Sequence, residues 1–170
     1  MRRTVGIAVL AALLVAVVPA GVGAAAAVQA GPVVLADFNG DGIDDLVVGV
    51  PGEDLGGAAD AGVVDVIYGS ESGLADGTRE QLTQAVPEPG DGFGAAVATG
   101  DFNGDIFTDL AVGVPGENVG AIADAGAVEV FYGAGGGGLP GVGNQLLRQG
   151  AAGMAGTAEA GDRFGASTSA

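Results

Sequence analysis

Two short acidic segments of the chain have the residue types and spacing of a metal-binding loop. In the first, side-chain oxygens stand at Asp37, Asn39, Asp41 and Asp45, which are positions 1, 3, 5 and 9 of a nine-residue loop. Ile43 at position 7 offers its backbone carbonyl as a fifth oxygen. Ca²⁺ takes about six to eight hard oxygen ligands in a flexible shell. The pattern therefore predicts a calcium site in this loop.

The same spacing returns 64 residues later in a second loop. Asp101, Asn103, Asp105 and Asp109 repeat the side-chain oxygens, and Phe107 stands at the position whose carbonyl would complete the set. Several carboxylates this close together repel one another unless a cation neutralises them. The second loop is therefore predicted to bind calcium as well.

The two loops differ at position 6, which is Gly42 in the first loop and Ile106 in the second. Glycine permits the sharp turn because it adopts positive φ without a steric penalty. A β-branched residue pays roughly 1 kcal/mol or more there. We therefore expect the second loop to bend differently or to bind calcium less tightly. The alternative for both loops is a solvated turn in which Asp and Asn cap their own backbone.

The segment that follows each loop argues against a helical EF-hand. An EF-hand loop ends in a bidentate Glu at position 12 and continues into a helix. Position 12 is Val48 in one copy and Val112 in the other, and Pro51 interrupts any helix in the first copy. The chain is better explained as an acidic turn that leads into a β-strand.

Composition excludes several other functions. The 170 residues include 21 Asp and Glu, five Arg, no His and no Cys. Such an acidic chain repels phosphate backbones, so we predict no nucleic-acid partner. Without His or Cys there is no Ser-His-Asp triad, no thiolate nucleophile and no thiolate zinc site. No other constellation of reacting groups stands out, and we predict that the chain is not an enzyme.

The first thirty residues read as a helical signal peptide. Arg2 and Arg3 precede an apolar core from Val5 to Val18, and small residues follow as far as Ala30. We expect cleavage of residues 1–30, secretion of the remainder, and membrane contact only through this segment. An uncleaved membrane anchor is the alternative.

The elements that position the acidic loops recur with the same period. Residues 31–90 form a first unit, residues 91–161 a second, and residues 162–170 the start of a third. An apolar run follows each loop, with Leu46, Val48 and Val50 on one face of an extended segment, which is typical of strands. Weaker fourth strands are expected near 80–84 and 144–149. About four short antiparallel strands per unit predict an all-β fold of β-propeller blades. A β-solenoid or a small sandwich is the alternative.

Three landmarks in the second unit resemble the FG-GAP repeat of the integrin α-chain N-terminal propeller. They are the Phe93-Gly94 pair, the acidic run from Asp101 to Asp105, and the Gly113-Val114-Pro115 turn. The resemblance implies that each acidic loop joins the first two strands of a blade and binds calcium. It also implies a seven-bladed propeller, of which this chain holds about two blades, so we expect a truncated gene product, a fragment, or a chain that assembles with other copies.

The resemblance favours a secreted, calcium-binding module for extracellular binding or cell adhesion, with a protein or glycan ligand. One alternative is a fragment or accessory propeller of a secreted hydrolase of the phospholipase type. Another is a truncated repeat protein without a function of its own. The acidic residues of the loops beyond the second strands, such as Glu53, Asp60 and Glu117, are expected to be solvated.

Overall fold

The computed structural model describes residues 31–74, 78–139, 143–151 and 154–168. The predicted signal peptide at residues 1–30 lies outside these ranges. Within them the chain forms strands and turns, and no helix there is long and apolar enough to cross a membrane.

Eight strands form two antiparallel sheets of four strands each. The first sheet, or first blade, has the order β1-β2-β3-β4, and the second blade has the order β5-β6-β7-β8. Every strand therefore pairs with its neighbour in sequence, which is the arrangement predicted for propeller blades. The strands are β1 (Val33–Ala36), β2 (Asp45–Val50), β3 (Val63–Ile67), β4 (Arg79–Leu82), β5 (Ala96–Gly100), β6 (Asp109–Val114), β7 (Ala127–Phe131) and β8 (Gln145–Leu147).

The predicted strands fall where the short apolar runs of each unit place them. The fourth strands lie within the predicted segments or one residue from them, at Arg79–Leu82 and Gln145–Leu147. The two blades also share one register: Leu46 faces Ile67 in the first, and Leu110 faces Phe131 in the second. The all-β prediction is therefore confirmed, and the 64-residue repeat corresponds to one blade.

The core lies between the two blades because each sheet turns one apolar face toward the other. From the first blade, Val47, Val64 and Val66 are fully buried in this core. From the second blade, the opposite face of the sheet contributes Leu110 and Val112, which are also fully buried. Each blade therefore has two different faces, and the interface joins unlike faces.

The Phe-Gly segment that opens each later unit docks on the blade before it. The backbone N–H of Phe93 donates to Ala61 O at 2.9 Å, and the buried Phe93 ring meets Phe131 edge-on with centroids 6.0 Å apart. Gly94 has φ of 90°, and a Cβ there would clash with the Val63 carbonyl, so only glycine fits this close approach. Phe93 thus lies between the blades and belongs to the core of both.

The same docking recurs one unit later. The N–H of Phe164 donates to Ala125 O at 2.9 Å, as Phe93 does to Ala61. Gly165 has φ of 88°, which matches that of Gly94. The residues that begin the third unit therefore pack on the second blade as residues 91–95 pack on the first.

Candidate metal centres in the two acidic loops

The first acidic loop connects β1 to β2, and Asp37 organises its tip. Asp37 Oδ1 accepts hydrogen bonds from the N–H groups of Gly40 at 2.7 Å and Asp41 at 3.2 Å. Its Oδ2 accepts one from Gly42 N–H at 2.9 Å. The chain therefore wraps around the first carboxylate of the series, and the exposed tip is held by one side chain.

Asn39 and Asp41 continue this wrapping in steps of two residues. Asn39 Oδ1 accepts the N–H of Asp41 at 2.9 Å, and Asp41 Oδ1 accepts the N–H of Ile43 at 2.8 Å. The Asn39 amide also donates to Asp41 Oδ2 at 3.1 Å. Alternate side chains therefore bond the backbone of their own loop, as the solvated-turn alternative also predicts.

Asp45 has a different setting because it is the first residue of β2 and is fully buried. Its Oδ2 accepts the N–H of Phe38 at 2.9 Å, and its Oδ1 accepts that of Gly69 at 2.8 Å. Burial raises the pKa of Asp45, and the charges of Asp41 and Asp37 raise it further. The loop thus gathers negative charge around a buried carboxylate.

The second loop, between β5 and β6, repeats these contacts. Asp101 accepts the N–H groups of Gly104 at 2.7 Å, Asp105 at 3.1 Å and Ile106 at 3.0 Å. The stepwise bonds of positions 3 and 5 are also present: Asn103 Oδ1 accepts Asp105 N–H at 2.8 Å, and Asp105 Oδ1 accepts Phe107 N–H at 2.9 Å.

The ninth position of the second loop repeats that of the first. Asp109 is fully buried at the start of β6. Its carboxylate accepts the N–H groups of Phe102 at 2.8 Å and Gly133 at 2.9 Å. Asp45 and Asp109 therefore each connect the acidic loop to the end of the third strand of their blade.

The second loop does not bend differently, so the first of the two outcomes expected for it, a different bend, was wrong. Ile106 has φ of 77°, close to the 85° of Gly42, and its N–H bonds to Asp101 as that of Gly42 bonds to Asp37. The Ile106 side chain is 87% exposed, so no packing contact compensates for its backbone conformation. The hydrogen bonds of the loop therefore hold a strained isoleucine in a position suited to glycine.

The side-chain donors of both loops are oxygens, the donor type that a hard cation such as Ca²⁺ takes. Each carboxylate or amide oxygen has more than one lone pair, so one that accepts a backbone N–H can still coordinate an ion. Among the described residues no group of three or more Asp or Glu side chains is close enough to hold a metal by itself. A site would therefore depend on the Asn39 amide and the Ile43 carbonyl as well as the carboxylates, with Asn103 and Phe107 in the second loop.

The first loop also touches the second blade. Gly136 N–H, in the turn after β7, donates to the backbone carbonyl of Asn39 at 2.9 Å. On the same side, Leu139 N–H donates to the hydroxyl oxygen of Tyr68 at 2.9 Å. A cleft of about 390 Å³ lies between these contacts; it is lined by Asn39, Asp41, Tyr68, Gly69, Ser70, Thr78 and Gly136 to Gly138. The first loop is thus part of the junction between the blades.

Sequence reasoning missed two buried carboxylates elsewhere between the blades. Asp91 is fully buried, and burial raises its pKa, with further increases from Glu117 and Glu88. Glu129 is only 5% exposed, and burial raises its pKa to about 7 against the lowering effect of a hydrogen bond from Asn144. The available signal was Glu129 itself, an acidic residue inside the apolar run of β7.

Glu117 is not fully solvated, although solvation was predicted for the acidic residues of its loop. Its carboxylate is half-buried and accepts a hydrogen bond at 2.9 Å from Gln84, which precedes the second blade. Its charge also raises the pKa of Asp91 and of Glu129. Glu117 therefore belongs to the junction between the blades.

These features define a class of protein: propeller blades, each with an acidic loop between its first two strands. The sequence profile of the FG-GAP repeat matches residues 32–67 and 93–131. The chain thus carries two FG-GAP repeats, as the landmarks of the second unit predicted.

The chain is similar in sequence to two kinds of protein, a phospholipase D and integrin alpha chains. The chain is 42% identical over 102 residues to mouse phosphatidylinositol-glycan-specific phospholipase D, covering 58% of this chain and 12% of that protein. It is 40% identical over 84 residues to chicken integrin alpha-V (49% of this chain, 7% of that protein). It is 36% identical over 102 residues to integrin alpha-PS5 of Drosophila melanogaster (59% and 9%). The chain thus spans about an eighth, or less, of the length of these relatives.

Proposed function

We propose that the chain is a non-enzymatic, calcium-binding module of an extracellular protein, with one ion in each acidic loop. One observation carries this proposal: in both loops the side-chain oxygens at positions 1, 3 and 5 accept the same hydrogen bonds from the backbone of one tight turn. The second loop does so with a strained Ile106, so the shared arrangement does not depend on glycine at position 6. The donor set consists entirely of oxygens, which is the chemistry that Ca²⁺ prefers.

The ion would be held by Asp37, Asn39, Asp41, the Ile43 carbonyl and Asp45, and by their counterparts Asp101, Asn103, Asp105, the Phe107 carbonyl and Asp109. A bound divalent cation would neutralise the repulsion among the carboxylates. Because Asn39 accepts the N–H of Gly136, an ordered first loop also supports the second blade. Calcium binding is therefore expected to stabilise the pair of blades as a unit.

Export of the chain rests on residues 1–30, whose composition is typical of a signal peptide. Outside the cell, an exposed propeller surface offers a binding site for a protein or glycan ligand. The similarity to integrin alpha chains favours this role, because the acidic loops and the Phe-Gly segments resemble the repeats of the integrin propeller.

The proposal is tested by calorimetric calcium titration of the chain produced from its full-length sequence. Asp41→Asn and Asp105→Asn keep the shape of the side chain and remove one ligand charge from the first or the second loop. Each is expected to weaken binding at its own loop by about tenfold or more, since ligand charge sets calcium affinity. Two sites in the parent chain and one unaltered site in each variant are expected.

The matched control is Asp54→Asn. Asp54 also accepts a backbone N–H in an exposed loop, from Asp60 at 2.9 Å, but lies outside both acidic loops. Its replacement is expected to leave the titration unchanged. Absence of calcium binding by the folded parent chain, or equal weakening by Asp54→Asn, would contradict the proposal.

The alternative is that the chain is the propeller portion of a longer hydrolase, and the similarity to phosphatidylinositol-glycan-specific phospholipase D favours it. The intact mass of the protein isolated from its source distinguishes the two. A polypeptide much larger than 16.1 kDa that carries phosphodiesterase activity would support the hydrolase. A chain of about this mass or less, without hydrolytic activity on phosphodiester and ester substrates, supports the binding module.

A further inference from the structure

Each outer face of the pair of blades repeats the residue positions of one half of the interface that joins the two blades. We define the open face as the side of the first blade that carries Val33, Leu35, Leu46, Val48 and Ile67. We define the Phe164 face as the side of the second blade that carries Ala111, Val128, Val130, Tyr132, Leu147 and Phe164.

The open face has the same residue positions as the buried face of the second blade. Val33 is 57% exposed where its counterpart Val97 is 7% exposed. Ile67 is half-exposed, whereas its counterpart Phe131 is 2% exposed and meets Phe93 at the junction. An apolar sheet face of this kind marks an interaction surface.

The Phe164 face repeats the buried face of the first blade in the same way. Phe93 is fully buried and Leu82 is 3% exposed in the first blade. Their counterparts Phe164 and Leu147 are only half-buried, although both pack on the second sheet. The second blade thus presents its Phe-Gly segment already docked, as the first blade presents Phe93 to its neighbour.

The hydrogen bonds at the junction match as well. Tyr68 donates its hydroxyl to Glu80 at 2.7 Å and accepts the N–H of Leu139 from the other blade. Tyr132 donates in the same manner to Gln145 at 2.7 Å. The residue that corresponds to Leu139 in the first unit is Leu74. A neighbouring first blade would therefore offer the Leu74 N–H to the Tyr132 oxygen.

We propose that a second copy of this chain binds head to tail, with its open face on the Phe164 face of the first copy. The new interface pairs Phe164 of one copy with Ile67 of the next, as Phe93 is paired with Phe131 within the chain. Unlike faces meet, so the contact is heterologous. An assembly of any length therefore has a free open face at one end and a free Phe164 face at the other. The net charge of −16 opposes association, so it is expected to strengthen as salt screens that charge.

Sedimentation velocity of the full-length chain, with calcium and at concentrations up to about 100 µM, tests the proposal because a contact with a micromolar Kd is populated there. The average mass is expected to rise beyond that of a dimer. Leu35→Asp on the open face and Leu147→Asp on the Phe164 face each place a charge in the contact and are expected to leave monomers. Circular dichroism confirms that each variant is folded, and Val33→Asp replaces Leu35→Asp on the open face if that variant is not.

Mixing the two variants gives the decisive result. Leu35→Asp retains an intact Phe164 face and Leu147→Asp retains an intact open face, so an equimolar mixture is expected to form a one-to-one dimer and nothing larger. Val86→Asp is the matched control, because Val86 is 71% exposed on the connection between the blades and belongs to neither face. It is expected to behave like the parent chain, and any role of residues 1–30 is the same in every variant.

Three outcomes would overturn the inference. The parent chain could remain a monomer throughout. Leu147→Asp alone could still form dimers while Leu35→Asp does not, which would mean that two open faces pair with each other. Val86→Asp could abolish assembly as fully as the face variants, which would assign the association to charge rather than to these faces.

Discussion

The strained isoleucine of the second acidic loop provides a quantitative test of how this loop is held. Ile106 has φ of 77°, and its side chain is 87% exposed. An L-residue with a side chain loses about 1–2 kcal/mol in this conformation, whereas glycine loses about 0.5–1 kcal/mol more backbone entropy on folding. The change Ile106→Gly is therefore expected to raise the free energy of unfolding by about 0.5–1 kcal/mol.

The reciprocal change in the first loop is the matched control. Gly42 has φ of 85°, and a Cβ added there would meet no atom within 4 Å, so the cost of Gly42→Ile is purely conformational. It is expected to lower the free energy of unfolding by a similar amount. Ile106→Asn should stabilise like Ile106→Gly, because Asn tolerates this region without the entropy cost of glycine.

Thermal and urea unfolding of the full-length chain measure these effects. For a protein of this size, about 1 kcal/mol corresponds to a change in Tm of roughly 2–4 °C. The strain is already present in the folded loop, so Ile106→Gly is expected to stabilise the chain equally with and without calcium. A lower Tm for Ile106→Gly, or no effect of Gly42→Ile, would refute the argument that backbone strain at position 6 separates the two loops.

Two further predictions concern the junction between the blades. The folded chain binds a proton at Glu129 more tightly than the unfolded chain, because its pKa is about 7 against an ordinary 4.5, so this group makes the free energy of unfolding fall as pH rises from about 4.5 to about 7. Urea unfolding at pH 5 and pH 8 should therefore show that Glu129→Gln stabilises the chain mainly at pH 8. Asp65→Asn on the open face is the control. Equal effects of Glu129→Gln at both pH values would contradict this prediction. Tyr68→Phe removes the hydrogen bonds to Glu80 and Leu139 and is expected to lower the free energy of unfolding by about 1–3 kcal/mol. Tyr132 makes no hydrogen bond between the blades, so Tyr132→Phe should lower the free energy of unfolding by less. An equal loss of Tm in both variants would refute the assignment of Tyr68 to the junction.

The strands and their order follow from local signals in the sequence. Short apolar runs such as Leu46–Val50 and Leu110–Val114 identify strands, and the glycines and prolines that separate them identify turns. The 64-residue repeat indicates that one blade is built twice. These features depend on neighbouring residues, which is why they could be read without the fold.

The ligand pattern of the acidic loops was equally accessible, because positions 1, 3, 5 and 9 lie within nine residues of chain. The backbone conformation of Ile106 was not. Local preference predicts a different bend, yet the N–H bonds to Asp101 and the anchoring of Asp109 on Gly133 hold the loop in the shape of the first. The bond to Gly133 comes from a residue 24 positions away, so only the folded sheet supplies it.

The sequence by itself determined the repeat, the strands and the oxygen donors of each loop, because these are set by residue types at short, regular spacing. Only the tertiary structure decided which face of each blade is covered. It also placed Glu129 and Asp91 in a buried junction, where desolvation raises their pKa. Burial depends on the packing of one sheet against another, and the alternation of residues along a strand cannot specify which of its two faces meets a neighbour.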